Sequence, residues 1–315
     1  SSLAGLVQLL LVGIALRRGG AGLLRFRRPR WSPTLKGLLL AGFPALVASG
    51  AVQLFLLAGA GVASFWPSGV SWLYYAEKVV QLPLGLMGAL GASVLLPELA
   101  QRSREGRTGA IAQAQNRALE VAMLLALPAG AALFVLAEPM AVVLFQRGAF
   151  EADDARGTAS LLRALSLGLP FAAAGKVLSQ SLFACGSLRG TLAAALVGVA
   201  VTLAASPLLG RPFGPTGIGL GISLACLAHA AAIVGLLARM GLWSPDRPFL
   251  RRLARIALST MAMSLGLLAA MSLAPPPGSL TLAALCLGGL GLYALAAWLA
   301  GAVGRDDWAR LPKNS

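Results

Sequence analysis

Histidine, acid and cysteine are scarce in this chain. Its 315 residues include one histidine, 11 Asp+Glu and three cysteines, and only 12% are charged. Each shortage closes a class of function. One histidine and few carboxylates leave little for hydrolytic catalysis, and no GxSxG, HExxH or Walker pattern occurs. The sequence therefore reads as a non-enzyme. Cys185, Cys226 and Cys286 lie far apart, with no CxxC and no even-numbered framework. They read as small buried hydrophobes, implying neither metal nor disulfide. Zinc-ligand spacing and nucleic-acid-type aromatic motifs are also missing, so the net charge of +15 does not point to nucleic acid. Gly214 to Gly221 contains GxGxG but follows no strand, so no dinucleotide cofactor is implied. That stretch reads as a turn and a small-residue helix face.

What the chain has in excess is oil. Hydrophobic residues make up 57% and the mean hydropathy is +0.79. Soluble domains carry about 25% charged residues, roughly twice the share here. Long Leu/Ala-rich runs reach the ~20 residues that a transmembrane helix needs, and they do not alternate as barrel strands do. The expected fold is all-α, a polytopic membrane helix bundle of about nine transmembrane helices. The spans read 3–16, 35–65, 70–97, 114–146, 156–185, 188–209, 215–240, 250–274 and 279–303. Pro44, Pro83, Pro128, Pro139 and Pro170 fall inside spans, where neighbouring helices can satisfy the carbonyls they free. The opening Ser1-Ser2-Leu3, already inside an apolar run, reads as the start of a piece of a longer protein. Three parts are expected: 1–34, the end of a truncated helix and a basic loop; 35–240, a six-helix lobe; and 241–315, two further helices and a tail.

Charge orients the bundle. Sorting connectors alternately puts 20 basic residues on one side and three on the other. Positive loops stay in the cytoplasm, so the 17–36, 98–117 and 239–255 connectors and the C-terminus are expected there. The 147–156 loop, with Glu151, Asp153 and Asp154, is expected to face outward.

A charge inside a bilayer is a functional hypothesis by default. The densest group is Ser71-Trp72-Leu73-Tyr74-Tyr75-Ala76-Glu77-Lys78, followed by Gln81. Helical spacing puts Tyr74, Lys78 and Gln81 on one face, with Glu77 beside it. Two readings fit that pattern. One is a wet cavity receiving an anionic head group. The other is a Glu77–Lys78 pair snorkelling near a helix end beside an aromatic belt. Lys176 reads equally as cavity lining or structural pairing. Arg163 reads as snorkelling, Glu138 before Pro139 as structural, and His229 as a helix-packing hydrogen-bonder.

Several strings together resemble the MurJ (MviN) family of lipid II flippases. They are Ser71 to Lys78, Gln81-Leu82-Pro83-Leu84-Gly85, Val94-Leu95-Leu96-Pro97, Leu144-Phe145-Gln146-Arg147-Gly148-Ala149-Phe150, Gly168-Leu169-Pro170 and Lys176-Val177-Leu178. Order and spacing match over roughly 1–240; the last two helices match in position and hydropathy only. The resemblance implies a fourteen-helix transporter of the multidrug/oligosaccharidyl-lipid/polysaccharide exporter superfamily, with this chain holding the sixth to fourteenth helices. It implies a bacterial inner-membrane protein of cell-wall (peptidoglycan) biosynthesis. Such a protein moves the lipid-linked precursor from the inner to the outer leaflet by alternating access around a cationic cavity. The implied partners are that precursor, membrane lipids, the missing N-terminal lobe and cell-wall synthesis proteins. The implied substrate contact is Lys78, where the family has Arg, supported by Glu77, Tyr74 and Ser71, with Gln53 and Lys176 behind them. Some members hold sodium through an Asp in the seventh helix and Asn/Asp in the eleventh, at positions matching Gly59, Thr202 and Ser206; without the carboxylates no sodium site of that type is expected. Other readings are an exporter of a different polyprenyl-linked glycan or small cation, and a non-transporting scaffold for wall synthesis.

The orientation is testable. A reporter active only outside the cytoplasm is expected to be active when fused after Asp153 and inactive when fused after Asp246. The opposite pattern contradicts it.

Overall fold

A computed structural model describes residues 14, 42, 46, 50–104, 108–184, 187–273 and 278–302, with the side chains of 88–111 and 184 not described. Residues 1–40 form a separate unit, of which only Ile14 is described. Apart from Ile14, Gly42 and Leu46, the span expected at 3–16, the first part of 35–65 and the basic loop between them lie outside the described residues. So do Pro44 and Cys185.

Within the unit 41–315 the described residues form nine helices. They are α1 (Ala51–Ala63), α2 (Gly69–Arg104), α3 (Thr108–Val135), α4 (Ala137–Phe145), α5 (Ala152–Ala184), α6 (Leu188–Phe213), α7 (Pro215–Arg239), α8 (Arg247–Leu273) and α9 (Ser279–Leu299). Six contain stretches long and apolar enough to cross a membrane: 112–135, 152–183, 188–213, 215–239, 247–273 and 279–299. The polytopic all-α expectation holds.

One expected span is two helices. The 114–146 run breaks at Leu136, between α3 and α4. Pro139 explains the break: it has no N–H to give the carbonyl four residues back, at Val135, and its ring crowds that carbonyl. The chain restarts with Pro139 in the first turn of α4, where a missing N–H costs nothing. Pro128 and Pro170, by contrast, sit inside continuous helices.

α5 is the centre of the bundle, packed on α7, α3, α2 and α4, and α7 packs along both α6 and α5. In lipid there is no hydrophobic drive between helices, so association relies on close contact between small residues and on interhelical hydrogen bonds. The Gly214–Gly221 stretch supplies both the turn and that contact. Gly214 takes φ +59° and caps α7. A Cβ at Gly221 would lie 2.8 Å from Ser206 Cα of α6, a backbone atom that cannot step aside. Ser223 Oγ donates to the Ala164 carbonyl of α5 at 2.6 Å.

The tail helices pack on each other, and α8 also packs on α3. Arg252 pairs with Glu120 at 2.9 Å, the Asn116 amide donates to the Ser244 carbonyl at 3.0 Å, and Tyr293 Oη donates to the Leu124 carbonyl at 2.8 Å.

Gly221→Leu is expected to destabilise the bundle by about 1–3 kcal/mol or more, because the α6–α7 backbones must separate. Thermal unfolding in detergent checks this. An unchanged midpoint contradicts the close-contact account.

Candidate functional site

α2 has three faces. Leu73, Ala76, Val79 and Val80 are buried in the bundle. Ser71, Tyr74, Lys78 and Leu82 are exposed along one stripe. Glu77 and Gln81 lie between, half-buried, and the Gln81 amide donates to the Glu77 carboxylate. That bond is the i, i+4 contact their spacing allows. Lys78 sits beside Glu77 in sequence but about 100° further round the helix. Its Nζ lies 4.9 Å from the Tyr74 ring centroid, a cation–π contact that leaves the ammonium free to meet an anion.

The N-terminal end of α2 is fixed by the loop before α5. Tyr75 packs against Phe145 (4.8 Å between centroids) and Phe150 (5.1 Å). Trp72 Nε1 donates to Asp154 Oδ1 at 2.8 Å. The Trp72 ring lies over Gly157, where a Cβ would be 2.4 Å from it. Thus the Ser71–Lys78 string and the Phe145–Phe150 string, far apart in sequence, are one packed unit. Nearby, Arg163 pairs with Glu138 at 3.1 Å on a half-exposed surface. This gives the expected structural role of Glu138 a partner, and gives Arg163 an ion pair.

A hollow of about 340 Å³ opens between α1, α2, α5 and α7. Glu77 and Gln81 line it from α2, Gln53 from α1, and Lys176 from α5. Three of the sequence-nominated residues, Gln53, Glu77 and Lys176, therefore converge on one space. Lys78, Tyr74 and Ser71 do not line it; they occupy the neighbouring exposed stripe. Gln81, expected to share a face with Lys78, lines the hollow instead.

The hollow also exposes residues the sequence did not nominate. Ser179 and Gln180 line it from α5, Ser223 and His229 from α7. His229 is 3% exposed, and neither ring nitrogen has a hydrogen-bond partner among the described residues. Gln180 Oε1 is likewise buried without one. The packing hydrogen bond expected of His229 is therefore not made there. An unmet buried polar group costs about 1–3 kcal/mol, so each marks a place where polarity is kept against stability. The legible signal was Lys176 and Gln180 at i, i+4 in an apolar span.

The positions matching a sodium site lie elsewhere, on α1 and α6. Thr202 Oγ1 donates to the Gly198 carbonyl at 3.0 Å and Ser206 Oγ to the Ile218 carbonyl at 3.5 Å. A Cβ on Gly59 would lie 2.6 Å from Ile222 Cδ1. Two hydroxyls already bonded to backbone and a glycine packed against isoleucine do not suit a hard cation, which wants several oxygens including charge.

With that geometry in view, similarity to known proteins is extensive. The family model described as "Lipid II flippase MurJ" matches residues 2–286. The "Probable lipid II flippase MurJ" of Rhizobium meliloti (strain 1021) is 37% identical over 305 residues, covering 96% of this chain and 57% of that protein. The protein of the same name from Rhizobium tropici is 35% identical over 261 residues, covering 82% of this chain and 49% of its own. Among solved structures, "Lipid II flippase MurJ, inward closed conformation" superposes with TM-score 0.71 at 20% identity, over 91% of this chain and 58% of that one. "Crystal structure of MATE in the bent conformation" gives 0.52 at 17% identity, over 86% and 66%. At those identities the structures speak for the fold alone. The chain spans about half the length of the curated relatives it matches.

Proposed function

The chain belongs to the MurJ family of lipid II flippases, and from that premise we propose that it supplies one lobe of a transporter for the lipid-linked peptidoglycan precursor. The precursor would pass from the inner to the outer leaflet of the bacterial cytoplasmic membrane by alternating access. Residues 35–240 form the lobe in this reading, 241–315 the additional helices and cytoplasmic tail, and 1–34 the lead-in from an opposing lobe. That opposing lobe and the membrane lipids are the partners the mechanism requires.

The observation that carries the reading is a largely apolar hollow into which Gln53, Glu77, Gln81 and Lys176 bring polar groups, beside an exposed cation, in a bundle of helices long and apolar enough to cross a membrane. A sugar–diphosphate head group cannot enter hydrocarbon without losing the hydrogen bonds of water. A lobe that offers replacement donors and acceptors near the middle of the bundle removes that barrier, while the lipid tail stays in the bilayer. Rocking of one lobe against the other then changes which side the site faces. Lys78 and Tyr74 present the positive stripe to the opposing lobe and meet the diphosphate. Lysine does so as a point charge and not as a bidentate fork, so position matters more than angular fit. The Glu77–Gln81 hydrogen bond holds the carboxylate on the hollow side and keeps it from neutralising Lys78. Gln53 and Lys176 line the same hollow. A small-cation exporter is less well supported, because of these candidates only Glu77 carries negative charge.

Lys78→Ala in the full-length protein is expected to abolish rescue of a flippase-depleted strain at normal membrane abundance, and Lys78→Arg to retain it. Full rescue by the alanine variant contradicts the assignment of Lys78.

A further inference from the structure

We propose that Tyr293 is a positioning residue: it docks on the backbone carbonyl that Pro128 frees in α3, and so makes the α8–α9 pair move with the lobe as one body. The docking stands on its own geometry; its use in moving a lipid-linked substrate rests on the transport reading above.

A proline has no N–H, so Pro128 leaves the carbonyl four residues back, at Leu124, without its helical partner. α3 nevertheless continues through Pro128 to Val135. In hydrocarbon an unmet carbonyl is costly, and a proline is tolerated where a neighbouring group takes over the bond. Tyr293 Oη of α9 does so, donating to that same Leu124 carbonyl at 2.8 Å. Tyr293 is buried, so hydroxyl and carbonyl have little water to turn to if they part.

Register follows from the spacing. The Asn116 amide donates to the Ser244 carbonyl, Glu120 pairs with Arg252, and the Leu124 carbonyl accepts from Tyr293. Residues 116, 120 and 124 succeed one another at four-residue steps, along one side of α3. The linker, α8 and α9 are thus each bonded to successive turns of a single helix. The first two bonds hold the linker and the N-terminal part of α8, and the third reaches α9 well inside its span. Most other carbonyls in the helix already accept from an N–H four residues on. A slip of one turn would therefore leave the Tyr293 hydroxyl facing a carbonyl that has its helical partner.

The tail pair is close-packed in its own right. A Cβ at Gly266 would collide with Leu292, and one at Gly289 would lie 3.0 Å from Leu267 Cδ2. Arg255 Nη1 donates to the Gly301 carbonyl at 3.0 Å. What Tyr293 fixes in α9 is carried by these contacts to α8.

The test is a double-mutant cycle in the full-length protein with the native cysteines replaced. Nitroxide labels at 125 and 295, exposed positions of α3 and α9, report docking, and a pair at 265 and 287 reports the α8–α9 contact. Tyr293→Phe keeps the ring and removes the donor. Pro128→Ala gives the Leu124 carbonyl a helical N–H again, so Tyr293 loses its vacant acceptor. Either change is expected to raise the displaced fraction in the 125–295 distances about three- to fifteenfold, with 265–287 unchanged and no further rise in the double variant. Stability is expected to behave differently. Tyr293→Phe lowers the thermal midpoint in detergent by about 2–4 °C, Pro128→Ala does not lower it, and Tyr293→Phe costs almost nothing more once Pro128 is replaced. Rescue of a flippase-depleted strain is expected to weaken in both single variants, including the one of undiminished stability, which a merely structural tyrosine would not bring about. Unchanged 125–295 distances in both single variants, an equal loss of midpoint on Tyr293→Phe with and without Pro128, or undiminished rescue in both overturns the positioning role. Where Tyr293→Phe alone does not fold, folding of the double variant supports it and failure of the double variant overturns it. Failure of the parent itself to rescue overturns the transport reading instead.

Discussion

Lipid offers no hydrogen bonds, and that single fact organises the molecule. Every polar group placed in the bundle must bond within the protein, reach an aqueous space, or wait for a ligand. Most take the first course. Ser223 reaches the α5 backbone, Thr202 and Ser206 bond to carbonyls, and Tyr293 ties α9 to α3. Among the described residues some buried groups do not, and they are spread through the bundle: Gln115, Thr158, Ser181, Trp243 and Thr260 lie away from the hollow, while Gln180 and His229 line it together with Gln53, Glu77, Gln81 and Lys176. Scattered polar residues can be structural accidents. Convergence from four helices is an arrangement, and it is what a head group leaving water would need.

Much of this was legible along the chain because membrane helices obey two simple rules. Length and hydropathy placed the described spans, and the charge of alternate connectors gives them an expected orientation. The misplaced boundary, at Leu136, shows where those rules stop. Hydropathy runs unbroken through 114–146, and only the chemistry of Pro139 ends the helix four residues earlier. A proline in an apolar run is ambiguous by sequence. Pro128 and Pro170 are tolerated and Pro139 is not, and the difference depends on what surrounds each freed carbonyl.

The site was legible one helix at a time and no further. Periodicity separated the faces of α2 and picked out Tyr74, Glu77 and Lys78. It put Gln81 with Lys78, whereas the bond to Glu77 turns that amide to the hollow. Nothing in the sequence around His229, an alanine-rich stretch, announces that Phe55 and Gly175 will frame it. Those contacts come from α1 and α5, and a single-helix reading cannot see across to them. The same limit hid the union of Trp72 and Tyr75 with Asp154, Phe145 and Phe150, which joins the two most distinctive strings of the family and fixes the angle at which α2 presents its cation.

The central claim is that the Ser71–Tyr74–Lys78 stripe faces water, not acyl chains. The direct measurement is thiol accessibility in intact membranes. Single cysteines are placed at 71, 74 and 78, and for comparison at 73 and 76, in full-length protein with the native cysteines replaced. A hydrophilic maleimide is expected to label 71, 74 and 78 and to spare 73 and 76, with labelling at 78 slowed by the lipid-linked precursor. If 74 and 78 resist the hydrophilic reagent but react with a membrane-dissolved one, the stripe faces lipid and the account fails.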